Sequence, residues 1–172
     1  FSNSGIRRIS ASIASLPALK KLVLKFGECL IVSDEGIAEL SNVFRTLPSL
    51  TELELGINSC YITDTALNHI GSGIKDLVAL RSFMLDISNC ERVTSYALEN
   101  LKSGLKSLIG LQVLKIHTSS CKNIDDETLA TASQILCSLE SLQELNLNFS
   151  GCENITDTGI KNLEKGLQAR HN

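Results

Sequence analysis

The leucines of this chain return on a fixed period, and that period leaves few folds open to it. The pairs Leu16-Pro17, Leu47-Pro48, Leu77-Val78, Leu108-Ile109 and Leu139-Glu140 fall 31, 30, 31 and 31 residues apart. From each, leucines or close substitutes recur at +3, +6 and +8. These are Leu19, Leu22, Leu24; Leu50, Leu53, Leu55; Leu80, Phe83, Leu85; Leu111, Leu114, Ile116; and Leu142, Leu145, Leu147. Phe26, Ile57, Ile87, Thr118 or Phe149 comes two residues later. A cysteine then stands five residues after the second strand leucine of every copy: Cys29, Cys60, Cys90, Cys121 and Cys152. The short interval comes from one residue missing between Cys60 and Ile62.

Each copy changes its periodicity once. Leu-x-Leu-x-Phe/Ile alternates with period two, which reads as a strand with its apolar side chains on one face. Ser33, Thr63, Thr94, Asp125 and Thr156 follow the cysteines, and all are favoured N-cap types because their oxygens accept orphan backbone N–H groups. Asp34, Asp64, Asp126 and Asp157 come next, placed against the positive end of a helix dipole. Three- and four-residue steps such as Ile37, Leu40, Phe44, Leu47 and Ile160, Leu163, Leu167 mark one buried helix face. Small residues at Gly36, Ala66, Ala97 and Gly159 stand where each helix must start close to its neighbours.

The fold class expected is therefore α/β, a curved solenoid with parallel strands inside the arc and helices outside. One array fills residues 1–172, with repeats at 16–46, 47–76, 77–107, 108–138 and 139–172. Residues 1–15 read as a partial repeat helix, since Ser2 to Ile6 aligns with Ser33 to Ile37; a degenerate capping helix is the alternative. With no polar cap at either end, the chain reads as a segment of a longer array or a larger complex.

Composition narrows the function classes. Sixteen Lys and Arg against nineteen Asp and Glu give a net charge of −3, which argues against nucleic-acid or polybasic membrane binding. The longest stretch without an acidic or basic residue is twelve residues, Thr128 to Leu139, well short of the ~20 a membrane span needs. Aromatics are only 4%, with no Trp, whereas leucine reaches 28 residues and serine 21. That bias fits a repeat protein better than an ordinary enzyme.

The frame L-x-x-L-x-x-L-x-L-x-F-S-x-C-x-x-I-T-D-x-x-I resembles a long, cysteine-containing leucine-rich repeat, over essentially the whole chain. Cys152 to Ile160, reading Cys-Glu-Asn-Ile-Thr-Asp-Thr-Gly-Ile, is similar to repeats of F-box leucine-rich proteins. The strand here is two residues longer than in those, a feature resembling the leucine-rich repeat proteins of ciliates and other protists. The F-box resemblance implies the substrate-recognition part of a ubiquitin ligase, although these residues hold no F-box. The protist resemblance implies a cytoskeletal or ciliary setting.

Parallel strands lie ~4.8 Å apart and packed helices ~8–10 Å apart, so the strands line the inside of the curve. Five of them give an inner face roughly 20–25 Å long. The side chains pointing into it include Lys21, Val23, Ser82, Val113 and Glu144, and the binding candidates chosen among them are Lys25, Glu52, Glu54, Met84, Asp86, Lys115, His117, Asn146 and Asn148. Glu52, Glu54 and Asp86 form an acidic middle between Lys25 and the Lys115–His117 pair, a mixture that can select a protein partner by complementary charge. A solvated sheet face with no ligand is the alternative.

The cysteine ladder of Cys29, Cys60, Cys90, Cys121 and Cys152 reads as buried structural thiols, because zinc would want C-x-x-C pairs. A reduced ladder suits the cytoplasm. Cys137 falls in register with Arg45, Lys75, Lys106 and Gln168 and is expected to be exposed. His69, His117 and His171 sit in no metal or nucleophile motif, so no catalytic residue, metal or cofactor is expected. Asn148 and Asn154 match the glycosylation sequon but lie where the frame uses Asn, Ser and Thr structurally. The expected function is non-enzymatic protein binding on the concave sheet face. The alternatives are a structural spacer in a large assembly and the ubiquitin-ligase role.

Overall fold

Period-two leucines become strands because alternate side chains leave a strand on opposite faces. The computed structural model describes residues 2–169 and places β1 at Lys21–Lys25, β2 at Glu52–Gly56, β3 at Ser82–Asp86, β4 at Val113–His117 and β5 at Glu144–Asn148. The helices are α1 (Asn3–Ile13), α2 (Asp34–Phe44), α3 (Asp64–Ile74), α4 (Ala97–Ser107), α5 (Asp126–Leu136) and α6 (Asp157–Gln168). The strands form one parallel sheet in the order β1-β2-β3-β4-β5. Leu22, Leu53, Phe83, Leu114 and Leu145 share one row of the register, and Leu24, Leu55, Leu85, Ile116 and Leu147 another. This is the leucine-rich repeat solenoid expected from the frame.

The core is the layer between sheet and helices. Leu53, Phe83, Leu114, Leu40, Leu67 and Leu101 are at most 1% exposed, and burying each such side chain is worth about 1.5–3 kcal/mol. The layers at either end are less covered. Leu145, Leu147 and Leu163 are half-buried, and Ile160 and Leu167 are exposed. The apolar face expected of the last helix is thus only partly buried, since no described residue packs over it. Leu16 is likewise exposed, whereas Leu47, Leu77, Leu108 and Leu139 are buried.

Between strand and helix each repeat makes the same turn. Glu28, Ser59, Asn89 and Ser120 take φ of 62°, 55°, 57° and 58°, and Gly151 takes 71°, each one residue before the ladder cysteine. The thiols of Cys60, Cys90, Cys121 and Cys152 then donate to the carbonyls of Phe26, Ile57, Ile87 and Thr118 in the preceding repeat, at 3.1–3.4 Å. The cysteines therefore tie neighbouring turns together. Cys29 is the exception to the expected burial: it is half-exposed, with no earlier turn among the described residues beneath it.

The helix starts carry a second tie. The N–H and hydroxyl of Thr63 donate to the Asp34 carboxylate at 2.8 and 2.7 Å, Thr94 does the same to Asp64, and Thr156 to Asp126. Asn3 and Ser33 make a neutral version at the first seam. Thr63, Asp125 and Thr156 also cap their own helices as expected, whereas Ser33 caps without a side-chain bond. Thr94 departs from expectation: α4 begins only at Ala97, with Tyr96 at the cap. Ser95 stands there in place of the acidic residue that opens the other helices after β1.

Close helix packing rests on small residues. A Cβ on Gly73 would lie 2.5 Å from the Ser41 carbonyl oxygen, and one on Gly104 would collide with the Gly71 carbonyl. Gly71 and Gly73 thus let α3 approach both of its neighbours. An exposed helical Gly→Ala change ordinarily gains roughly 1 kcal/mol. Gly104→Ala is expected instead to cost about 1–3 kcal/mol, as overpacking does, measured as a lower urea midpoint at unchanged slope. A gain in stability would show that the helices can separate freely.

The bonds from Thr156 hold the Asp126 carboxyl below the ordinary carboxylate range. A carboxyl depressed on folding stabilises the protein above its unfolded value, near pH ~4, and that contribution is lost as pH falls through the folded value. The stability difference between the parent and Asp126→Asn is accordingly expected to be larger at neutral pH than at pH 3 in paired urea titrations.

Candidate functional site

The face of the sheet turned away from the core presents side chains in rows, one from each strand. Across β1 to β4 it holds a groove of about 270 Å³, with walls and floor formed by Lys21, Val23, Glu52, Glu54, Met84 and Lys115, among others. Val23 is 42% exposed and Met84 half-buried, so the groove offers apolar surface between charged walls. Of the nine candidates, the structure brings Glu52, Glu54, Met84 and Lys115 together there. Lys25, Asp86, His117, Asn146 and Asn148 lie on the same face but outside the groove. Lys21, Val23 and Ser82 are outward positions outside the nine candidates; the place of Lys21 and Ser82 opposite Glu52, and of Val23 opposite Glu54, is the signal that includes them.

The charges on this face largely satisfy one another. Lys21 Nζ lies 2.7 Å from Glu52, Lys25 Nζ 2.7 Å from Glu54, and Lys115 Nζ 2.5 Å from Glu144. The Glu52 carboxylate, accepting the Lys21 hydrogen bond, pushes that amine above the usual lysine range. The acidic middle inferred from Glu52, Glu54 and Asp86 is therefore a set of cross-strand ion pairs. Its remaining acid, Asp86, accepts the Ser88 N–H at 3.0 Å. Asn148 makes the same bond to the Ser150 N–H, and Asn154 Nδ2 donates to the Lys122 carbonyl at 2.7 Å. Both sequon asparagines are thus engaged in the turns.

No side chain on this face is arranged for nucleophilic chemistry. His117 stands between Asp86 and Asn148 in the register, and its Nε2 is enclosed without a hydrogen-bond partner. Cys121 is fully buried, and burial pushes its thiol up to about 11 and that of Cys90 to about 12. Among the described residues no group of His, Cys, Asp and Glu could hold a metal, and all six cysteines are free. His171 lies outside the described residues. No helix among the described residues is long and apolar enough to cross a membrane.

The loop edge carries a feature that the repeat frame does not require. Leu30, Ile31 and Tyr61 are exposed, and the Arg92 guanidinium sits 4.4 Å from the centre of the Tyr61 ring. Glu91, Lys122 and Glu153 occupy the Leu30 and Tyr61 position in the later repeats. That switch from apolar to polar along the chain is the sequence signal of this feature.

No protein-family model matches the sequence. No curated protein matches it either. The fold does resemble solved structures. A structure of leiomodin-1 actin-binding site 2 aligns with a TM-score of 0.63 at 14% identity, covering 95% of this chain and 90% of that one. The tropomodulin C-terminal domain from Caenorhabditis elegans aligns at 0.59 and 14% identity, covering 94% and 93%. An internalin from Listeria monocytogenes aligns at 0.29 and 21% identity over 59% of its own length.

Thiol chemistry gives a direct check on the ladder. Cys137 is exposed, its thiol 3.7 Å from the Gly166 carbonyl. Iodoacetamide at pH 8 is expected to alkylate Cys137 first and half-exposed Cys29 more slowly. Cys60, Cys90, Cys121 and Cys152 should react only after denaturation. Peptide mass spectrometry reads the order, and early labelling of Cys90 would contradict the burial described.

Proposed function

We propose that this chain is a non-enzymatic protein-recognition module that seats its partner on the concave sheet face. The observation that carries the reading is the groove between the Lys21–Glu52 and Lys115–Glu144 pairs, with Val23 and Met84 exposing apolar surface inside it. A partner's apolar side chain fits that floor, and the flanking ion pairs offer both signs of charge to polar groups around it. Steering and register then come from the charges, and most of the affinity from the buried apolar contact.

The likeness to an actin-binding segment of leiomodin-1 supports a cytoskeletal setting and makes actin the first partner to try. A rigid spacer in a larger assembly is the second reading, favoured by the mutual neutralisation of the three cross-strand Lys–Glu pairs. The ubiquitin-ligase role has support only in the similarity of Cys152 to Ile160 to F-box leucine-rich repeats.

The test is a double change, Val23→Glu with Met84→Glu, compared with the parent in pull-downs and in titration against actin. Both side chains point away from the core, so circular dichroism should stay unchanged. Recognition on this face predicts a loss of at least tenfold in binding of whichever partners the parent retains. Full retention of those partners would assign the protein to the spacer class.

A further inference from the structure

We propose that the array bends at one built-in seam, between α4 and α5, while the sheet beneath it stays continuous. At the α2–α3, α3–α4 and α5–α6 seams two devices close adjacent helices, and both fail here together. The first is the tie at the helix start. Asp34, Asp64 and Asp126 each take two hydrogen bonds from the threonine of the next repeat. At this seam Ser95 occupies the aspartate position and Asp125 the threonine position, so neither half of the tie is present. What remains at the helix starts is the Thr128 hydroxyl donating to the Ser95 carbonyl at 3.4 Å; in the loop ahead of them Asn123 Nδ2 donates to the Glu91 carbonyl at 2.9 Å.

The second device is the pairing of small residues at the α2–α3, α3–α4 and α5–α6 seams; the first seam, with Ser10 and Val43 at these positions, lacks the glycine but keeps the Asn3–Ser33 tie and the close start at Gly36. Ser41 meets Gly73, Gly71 meets Gly104 and Ser133 meets Gly166, in each case close enough that a Cβ would clash. The matching positions at the fourth seam are Lys102 and Ile135, both large. Thr128 also replaces the glycine or alanine that lets the other helices start close, at Gly36, Ala66, Ala97 and Gly159.

The consequences agree. The α4–α5 seam is the least closely packed of the five helix seams. A void of about 10 Å³ lies beneath it, walled by Leu98, Leu114, Ala132, Ile135 and Leu136 and by no polar group. Such a void gives water nothing to bond to and stays dry. Meanwhile β3 and β4 pair through all five residues, Ser82↔Val113 to Asp86↔His117. A stack that is tied along the sheet and loose along the helices opens like a book, with the strands as its spine. Lys115 belongs to β4, whereas Val23, Glu52, Glu54 and Met84 belong to β1 to β3. Bending at this seam therefore moves one wall of the groove against its floor; this last consequence alone rests on the binding role proposed for the groove.

The test needs no partner, so its failure is separate from failure of that role. Hydrogen exchange by mass spectrometry would compare the parent with Ser95→Asp, Asp125→Thr, Thr128→Ala, which restores the tie and the close start. The amides of the first turns of α4 and α5 should exchange at least tenfold more slowly in the repaired chain, with those of α2 and α3 unchanged. A second variant moves the fault instead: Asp64→Ser with Thr94→Asp should speed exchange at the starts of α3 and α4. Should the repaired chain fail to fold, the moved fault decides alone. Exchange unchanged at these helix starts in the variants that fold would overturn the proposal.

Discussion

Strands and helices of unequal thickness have to share one stack, and every other feature of the molecule answers that constraint. Parallel strands sit ~4.8 Å apart, whereas ordinary helix pairs need ~8–10 Å. Curvature absorbs much of the mismatch by placing the helices on the longer arc. Small residues absorb more: with Gly71 beside Gly104, backbone meets backbone between α3 and α4. Ties from Thr to Asp and from Cys to carbonyl then hold successive layers at matching heights. Such ties form only when each repeat stands in register with its neighbour, so the ladder and the sheet reinforce one another.

The same constraint explains what could be read from the residues. Strands and helices were legible because each depends on a local period, and the buried rows Leu22–Leu53–Phe83–Leu114–Leu145 follow from aligning the copies. The turn before each cysteine was not. Glu28, Ser59 and Ser120 adopt positive φ although nothing in those residue types marks it; only Asn89 and Gly151 carry a hint. The late start of α4 was missed for a related reason, because Thr94 fits the frame and the departure lies in its neighbours Ser95 and Tyr96.

For the sheet face, orientation was legible and pairing was not. Alternation alone sends Lys25, Glu52, Glu54 and Lys115 outward. Which lysine reaches which glutamate depends on rotamers and on the exact opposition of strands. A face that looked like an acidic patch between cations is instead nearly neutral across the groove. Exposed pairs of this kind contribute about 0–1 kcal/mol each to stability. Under the proposed binding role, their weight lies in how they present the apolar surface of Val23 and Met84.

The proposal is that recognition takes place on the sheet, with the helices as its support. Its most direct test is a photo-crosslinking residue introduced at Met84 in the groove, compared with one at exposed Asn68 on the outer face of α3. Covalent capture of a distinct protein from position 84 but not from position 68, under native conditions, is the expected result. Capture from 68 with none from 84 would put the working surface on the helices and contradict the account.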